Sequence, residues 1–230
     1  MAAEPARSTV APVSDRAPHH AAADGFPPGF FDRLDPSDDA LFYGPPRLVT
    51  HIDEGAIAAV TELYREYFPA NGAILDLMSS WVSHLPPEAS YRRITGLGMN
   101  ADELAANPRL TAWVVHDLNA EPCLPFADGE FDAAGCCVSI DYLVRPVEVL
   151  RDLARVLRPG SPLVITFSNR CFPTKVIALW GALDDAGHAQ LVAHYLRAAG
   201  GWTDLVGLDR SPGAGDPLLA VVARRGAAAE

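Results

Sequence analysis

The chain has 230 residues, of which 49% are hydrophobic and 20% charged, which is ordinary for a globular protein with one sizeable core. A formal net charge of -11 disfavours binding that neutralises many phosphates, so we expect no nucleic-acid partner. No run approaches the roughly 20 apolar residues that cross a bilayer, and no signal region is visible, which predicts a cytoplasmic protein with no membrane partner. The four cysteines have no zinc-type spacing, so no metal site is expected.

The N-terminal part of the sequence divides into a tail and a flap. Residues 1–24 are rich in Ala and Pro and have no apolar period, which is typical of a disordered tail. Residues 25–230 are expected to form one domain, with residues 25–70 as a flap that ends in a helix and residues 71–230 as the core. The helix is predicted from Asp53 to Phe68, because its apolar residues recur at spacings of three and four.

After the flap, short apolar runs alternate with helical stretches, a pattern that predicts an α/β fold with a mostly parallel sheet. A helix over residues 146–157 should end at Pro159 and Gly160. The last two runs are joined by a short Gly/Pro turn, which predicts an antiparallel hairpin. The expected strands are 73–77, 92–97, 112–115, 132–137 and 162–167, followed by the hairpin strands 202–210 and 217–225.

Ligands of open α/β sheets bind beyond the carboxyl ends of the strands, so the loops after the first four strands are the candidate site. Asp76 ends the first strand, and it can hold a cationic group or cap a following helix. Asn100, after the second strand, can hydrogen-bond a ribose or cap the next helix. Asp117, after the third strand, can bind an adenine amino group or make an Asx turn.

Two histidines are candidate general bases. His51 in the flap is the first choice, and His84 in the loop after the first strand is the second. Either could instead be a hydrogen-bonded histidine that shapes a loop.

The flap and the later loops also carry candidate substrate contacts. Arg47, Arg170 and Lys175 could form a cationic wall for a carboxylate, or could be solvated surface charges. Aromatic side chains could line an apolar pocket or belong to the core. The candidate substrate residues are Tyr43, Arg47, Tyr142, Asn169, Arg170 and Lys175.

Residues 60–225 resemble the class I S-adenosylmethionine-dependent methyltransferases, especially the type-11 branch. LPFADGEFD before the fourth strand and RVLRPGS before the fifth carry the resemblance. It implies a Rossmann-like, seven-stranded sheet of order 3-2-1-4-5-7-6, S-adenosyl-L-methionine as the cofactor, and in-line methyl transfer to a small molecule. The cofactor contacts that it implies are Asp76, Ser79, Ser80, Gly98, Asn100, Asp117, Leu118 and Ser139.

The first loop departs from the family's D-x-G-x-G-x-G pattern, and its DLMSSWVSHLP is similar to a subgroup of methyltransferase-like proteins. Met78, Ser80 and Val82 stand at the glycine positions, so we expect that the backbone cannot follow the usual positive-φ path without strain. Gly98 replaces the usual ribose acid, which predicts a gap or room for a bulkier or anionic group. These departures leave two alternatives open: a non-catalytic ligand-binding protein, or an enzyme that uses a different nucleotide-like ligand.

Overall fold

The computed structural model describes residues 26–227, so the predicted tail at residues 1–24 lies outside the described part. The helices are α1 Asp39–Tyr43, α2 Glu54–Tyr67, α3 Ala101–Ala106, α4 Pro146–Val156, α5 Ala178–Gly181 and α6 Asp185–Ala199. The strands are β1 Ala73–Leu77, β2 Arg93–Gly98, β3 Ala112–Val115, β4 Ala133–Cys137, β5 Pro162–Phe167, β6 Trp202–Asp209 and β7 Leu219–Arg225.

The seven strands form one sheet in the order β3-β2-β1-β4-β5-β7-β6. The first five strands are parallel, while β7 runs antiparallel to both β5 and β6. The predicted order and C-terminal hairpin are therefore confirmed. The predicted strand bounds agree with the observed ones to within two residues, because buried parallel strands read as short apolar runs.

Helix α2 covers one face of the sheet. Asp53, predicted as its first residue, instead caps it by accepting a hydrogen bond from the Ala56 N–H. Its buried side chains are Ala56, Val60, Leu63 and Tyr64, which recur at helical spacing. The helix lies so close to β4 that a Cβ on Gly135 would come within 2.7 Å of the Tyr64 hydroxyl oxygen. Helices α4 and α6 cover the opposite face, where a second apolar cluster includes Leu150, Leu153, Val192 and Leu196.

The connection from β1 to β2 contains no helix. Residues 78–92 cross between these two parallel strands as an irregular loop, and Leu85 is buried within the α2-side core. The expected alternative role of Asp76, capping a following helix, is therefore wrong, since there is no helix to cap. Without that helix, this loop depends on side-chain hydrogen bonds for its position at the candidate site.

Candidate functional site

A cavity of about 300 Å³ opens at the carboxyl ends of β1 to β4. This is the edge of an open α/β sheet where ligands bind. The cavity lies beneath residues 26–52, the part of the predicted flap that precedes α2 and that is called the flap from here on. The predicted site residues that line it are Tyr43, Arg47, His51, Asp76, Ser79, Ser80, His84, Gly98, Asn100, Asp117, Leu118, Ser139, Tyr142 and Arg170. Most of the predicted site residues therefore lie in the cavity wall.

Lys175 and Asn169 do not line this cavity. Asn169 is exposed, whereas Lys175 is fully buried beneath the flap. The Lys175 ammonium donates to the Ser37 carbonyl at 2.9 Å and lies 3.1 Å from both Asp35 and Asp39. The prediction that Lys175 forms part of a cationic wall for the substrate was wrong. Its charge is neutralised by the flap that it anchors.

Asp76 lines the cavity, and its two carboxylate oxygens differ in their hydrogen bonds. Its Oδ2 accepts hydrogen bonds from the hydroxyls of Ser79 at 2.6 Å and Ser83 at 2.5 Å. Within residues 26–227, no group hydrogen-bonds its Oδ1. Burial raises the pKa of Asp76, and the two hydroxyls oppose that rise. An oriented carboxylate with one open oxygen can accept a cationic group such as an ammonium.

Asn107 supports this arrangement from behind and was missed by the sequence analysis. It is fully buried and donates from Nδ2 to the Ser83 hydroxyl and to the Ser80 carbonyl, both at 2.9 Å. These bonds fix the loop in place of the missing helix. Asn107 lies about 30 residues along the chain from Asp76 in a separate loop, so no local pattern could have identified it.

Two residues at the cavity edge have positive φ although neither is glycine. Met78 has a φ of 56° and Val138 has a φ of 43°. Met78, at one of the family's glycine positions, thus adopts a positive φ despite its side chain, which fits the expectation that this path entails strain. Such conformations cost about 1–3 kcal/mol each and are concentrated at functional sites.

The space beside Gly98 is filled by backbone. A Cβ on Gly98 would lie 2.1 Å from the carbonyl oxygen of Ser79, which has folded against the end of β2. The Ser79 N–H holds it there by donating to the Leu97 carbonyl at 2.7 Å. The prediction of a gap at Gly98, or of room there for a bulkier or anionic group, was wrong. The Ser79 carbonyl fills this space, so no group can enter it unless the loop moves.

Asn100 acts as the helix cap that the sequence analysis offered as an alternative. Its Oδ1 accepts from the N–H groups of Asp102 and Glu103. Its Nδ2 donates to the carbonyls of Tyr43 at 2.9 Å and Gly44 at 2.7 Å. Both ends of the amide are thus committed to holding α3 and the flap together.

Glu103, three residues beyond Asn100 in the first turn of α3, lines the cavity and was not among the predicted site residues. Its Oε1 accepts from the Arg47 backbone N–H at 2.6 Å, and its Oε2 accepts from the Ser80 hydroxyl at 2.5 Å. The Ser80 hydroxyl, predicted to face a cofactor, therefore donates to the protein, as the Ser79 hydroxyl does to Asp76. Glu103 joins the flap to the first loop.

The third loop presents Asp117 and Leu118 to the cavity. Asp117 Oδ1 accepts from the N–H groups of Asn119 at 2.8 Å and Ala120 at 3.2 Å, so the Asx-turn alternative is observed. No group in the described chain hydrogen-bonds its Oδ2. One oxygen of this carboxylate therefore shapes the loop while the other is open to a donor.

The two candidate bases differ in their surroundings. His51 is exposed, and its ring packs edge-on against Phe172 at 5.3 Å. Burial lowers its pKa, and the Glu103 carboxylate opposes this. His84 is half-buried, and burial alone lowers its pKa. Neither ring nitrogen of His84 has a hydrogen-bond partner among residues 26–227, so a neutral imidazole faces the cavity.

Arginines border the same region. Arg47 stacks 4.4 Å over the Phe42 ring and donates to the Phe42 carbonyl at 2.8 Å. Arg170 donates from Nε to Asp216 at 2.7 Å, and in the described part of the chain its two terminal nitrogens have no partner. Arg170 is therefore the more available cation.

Of the remaining predicted contacts, the hydroxyls of Tyr142 and Ser139 are hydrogen-bonded within the protein and that of Tyr43 is not. The Tyr142 hydroxyl accepts from the Phe172 N–H at 2.8 Å, and the Ser139 hydroxyl donates to the Cys137 carbonyl at 2.7 Å. The Tyr43 hydroxyl is buried and has no partner between residues 26 and 227. Burial raises the pKa of both tyrosines, so they remain protonated.

None of the helices within residues 26–227 is both long and apolar enough to span a membrane. Nor do three or more His, Cys, Asp or Glu side chains come together there in a group suited to a metal ion.

Residues 79–165 match the family described as "Methyltransferase domain", type 11. Over 68 residues, the chain is 40% identical to a ubiquinone/menaquinone biosynthesis C-methyltransferase of Roseobacter denitrificans. That match spans 30% of this chain and only 26% of the relative.

Solved structures share the fold at low identity. The (4+2)-cyclase SpnF has a TM-score of 0.59 and 17% identity, with 80% of this chain and 90% of that chain covered. An S-adenosylmethionine-dependent methyltransferase of Mesorhizobium loti has a TM-score of 0.53 and 17% identity, with 73% and 98% covered. By strand order and overall fold, the chain has the class I methyltransferase fold, and its residues 79–165 are similar to the methyltransferase family.

Proposed function

We propose that this protein is an S-adenosylmethionine-dependent methyltransferase that transfers a methyl group in line to a small molecule held beneath the flap. The observation that carries the proposal is the open Oδ1 of Asp76 in a cavity at the carboxyl end of β1. A carboxylate held there by two serines is suited to the α-ammonium group of the cofactor's methionine part. The name of the Roseobacter relative supports methyl transfer to a small acceptor.

The residues present fit this cofactor at its two ends. Asp76 would hold the ammonium group, and Asp117 Oδ2 would accept from the adenine amino group. Met78 already has a left-handed backbone at one of the positions where the family pattern has glycine. The ribose end differs, since Gly98 cannot carry an acid. When bound, the cofactor supplies an activated methyl group on its sulfonium.

The chain's own contribution is orientation, exclusion of water and removal of a proton. The flap covers the acceptor, and a fixed geometry replaces a bimolecular encounter. We favour His84 as the general base and place His51 second, reversing the order suggested by sequence. His84 is sheltered and its ring nitrogens are open, whereas His51 is exposed. A neutral imidazole can take a proton from an acceptor hydroxyl or amine.

Thermal unfolding with added S-adenosylmethionine tests the proposal. A ligand at 100 times its Kd adds about 2.7 kcal/mol of stability, which should raise Tm by roughly 5 to 10 °C in a chain of this size. Asp76→Ala should abolish the shift, because the ammonium group loses its acceptor. His84→Ala should retain the shift but lower methyl transfer to a panel of small hydroxyl and amine compounds, measured as S-adenosylhomocysteine released.

Asp102→Ala is the matched control, because Asp102 is an exposed acid of the neighbouring helix and does not line the cavity. No shift at millimolar cofactor would contradict the proposal. A shift with no turnover on any acceptor would favour the second candidate, a ligand-binding protein on this fold. The altered first loop and the closed Gly98 position favour that candidate.

A further inference from the structure

The usual place for a ribose-binding acid is closed in this chain. In nucleotide-binding α/β domains that acid follows the second strand, where its carboxylate accepts from ribose hydroxyls. Here the corresponding residue is Gly98, and the Ser79 carbonyl oxygen stands 2.1 Å from where its Cβ would be. A nucleoside bound in this cavity must therefore find another acceptor for its diol.

The nearest polar side chain on α3 does not supply one. Asn100 caps α3 with its oxygen and donates both amide hydrogens to flap carbonyls. A ribose hydroxyl could bind it only by displacing the helix cap or the flap.

Glu103 lies in the first turn of the same helix and has acceptor capacity left. Each of its carboxylate oxygens receives one hydrogen bond, from the Arg47 N–H and from the Ser80 hydroxyl. A carboxylate can accept about four hydrogen bonds, so two acceptor sites remain. Ser80 follows directly on Ser79, whose carbonyl occupies the closed position. The Glu103 carboxylate is therefore next to the place that the usual acid would take.

We propose that Glu103 binds the ribose hydroxyls of a nucleoside ligand, in place of an acid at residue 98. The inference rests on the proposed function, since it takes the ligand to be the adenosyl cofactor. The same carboxylate already ties the flap at Arg47 to the first loop at Ser80, so ribose binding reinforces the closed arrangement of both.

Calorimetry with S-adenosylhomocysteine and its 2′-deoxy and 3′-deoxy forms tests this assignment. In the wild type, loss of a hydroxyl that donates to a carboxylate should weaken binding by about tenfold or more. In Glu103→Gln, the parent ligand should bind about tenfold more weakly, and the penalty for the missing hydroxyl should shrink to about twofold or less.

Two further variants separate ribose binding from loop support. Ser80→Ala removes one partner of Glu103 but keeps the carboxylate, so discrimination against the deoxy ligands should persist. Asp102→Asn, the exposed neighbour, should behave as wild type. Circular dichroism confirms that each variant is folded.

The outcomes also distinguish this inference from the proposed function. If Glu103→Gln is folded and keeps the full wild-type penalty for the deoxy ligands, another acceptor such as the Ser79 carbonyl holds the ribose and the assignment is wrong. If the wild type binds no adenosyl ligand at all, the proposed function is overturned and this inference with it.

Discussion

At the scale of single residues, the contact between Gly98 and Ser79 governs the site. The absence of a side chain at residue 98 allows the first loop to lie against β2, and the Ser79 N–H bond to Leu97 holds it there. The missing acid at residue 98 thus leaves the space that the Ser79 carbonyl occupies. A substitution that restores the acid at residue 98 would displace the loop before it could bind a ribose.

Gly98→Ala should disturb this contact directly. The added methyl would meet backbone, which cannot rotate away, so we expect a loss of about 1–3 kcal/mol in the free energy of unfolding. Cofactor binding should weaken as well, since Asp76 and Ser79 share the displaced loop. Urea unfolding and the thermal-shift assay measure the two effects.

Gly207→Ala in β6 is the matched control, because a Cβ there has no neighbour within 4 Å. It should leave stability within about 0.5 kcal/mol of the wild type or above it. A Gly98→Ala protein as stable as this control would show that the loop is not packed against β2.

At the scale of elements, a buried ionic cluster attaches the flap to the domain. Lys175 contacts Asp35 and Asp39, and Asp39 is also bound by Arg33 at 2.8 Å. Burial by itself would raise the pKa of Asp39, but hydrogen bonds from Arg33, Asn119 and Lys175 bring it below its usual value. The flap is thus fixed by charge pairs whose partners depend on one another.

Lys175→Met should release the flap without adding bulk. Removing one partner leaves Asp39 buried with a single cation, and breaking a buried pair costs about 3–5 kcal/mol. Since the lost contacts are those of the flap, limited proteolysis should cut residues 26–52 faster than in the wild type, while the sheet remains protected. Arg170→Met, which alters an exposed cation, serves as the control. Equal cleavage of the flap in both variants would argue against an anchoring role.

At the scale of the whole molecule, opposing carboxylates set how stability depends on pH. Hydrogen bonds from Ser37 and then Lys175 lower the pKa of Asp35 to about 2. The contribution of ionised Asp35 to the free energy of unfolding is therefore present at neutral pH and is lost as pH falls towards 2. Asp141 acts in the opposite sense. It is 4% exposed, and burial raises its pKa to about 7 against hydrogen bonds from its own backbone and from Tyr142.

Native Asp141 keeps a proton that the unfolded chain releases above pH 3.8. Its contribution to the free energy of unfolding is therefore complete below pH 3.8 and is lost as pH rises through about 7. Asp141→Asn removes this titration. The stability gained over the wild type should therefore be larger at pH 8 than at pH 5, by about 2 kcal/mol. Urea unfolding at both pH values measures the difference. An equal gain at both would mean that native Asp141 is ionised throughout, and Asp102→Asn should show no pH-dependent change.

The elements could be predicted because their signals are local. The apolar run of β1, the spacing of Val60, Leu63 and Tyr64 in α2, and the Gly/Pro turn before β7 each lie within one segment. The period at which apolar residues recur in a helix or strand can be read from neighbours along the chain. The resemblance then supplied the strand order, and strand order together with loop position located the cavity wall.

What the sequence by itself determined was thus the sheet, its order and the loops that meet at its carboxyl edge. Only the tertiary structure decided what each polar side chain does there. Lys175 faces Asp39, Glu103 faces Arg47 and Ser80, and Gly98 faces the Ser79 carbonyl. These partners lie about 20 to 140 residues apart in the chain. Hydrogen bonds and ion pairs require distances near 3 Å, and no local pattern encodes such an approach between distant segments.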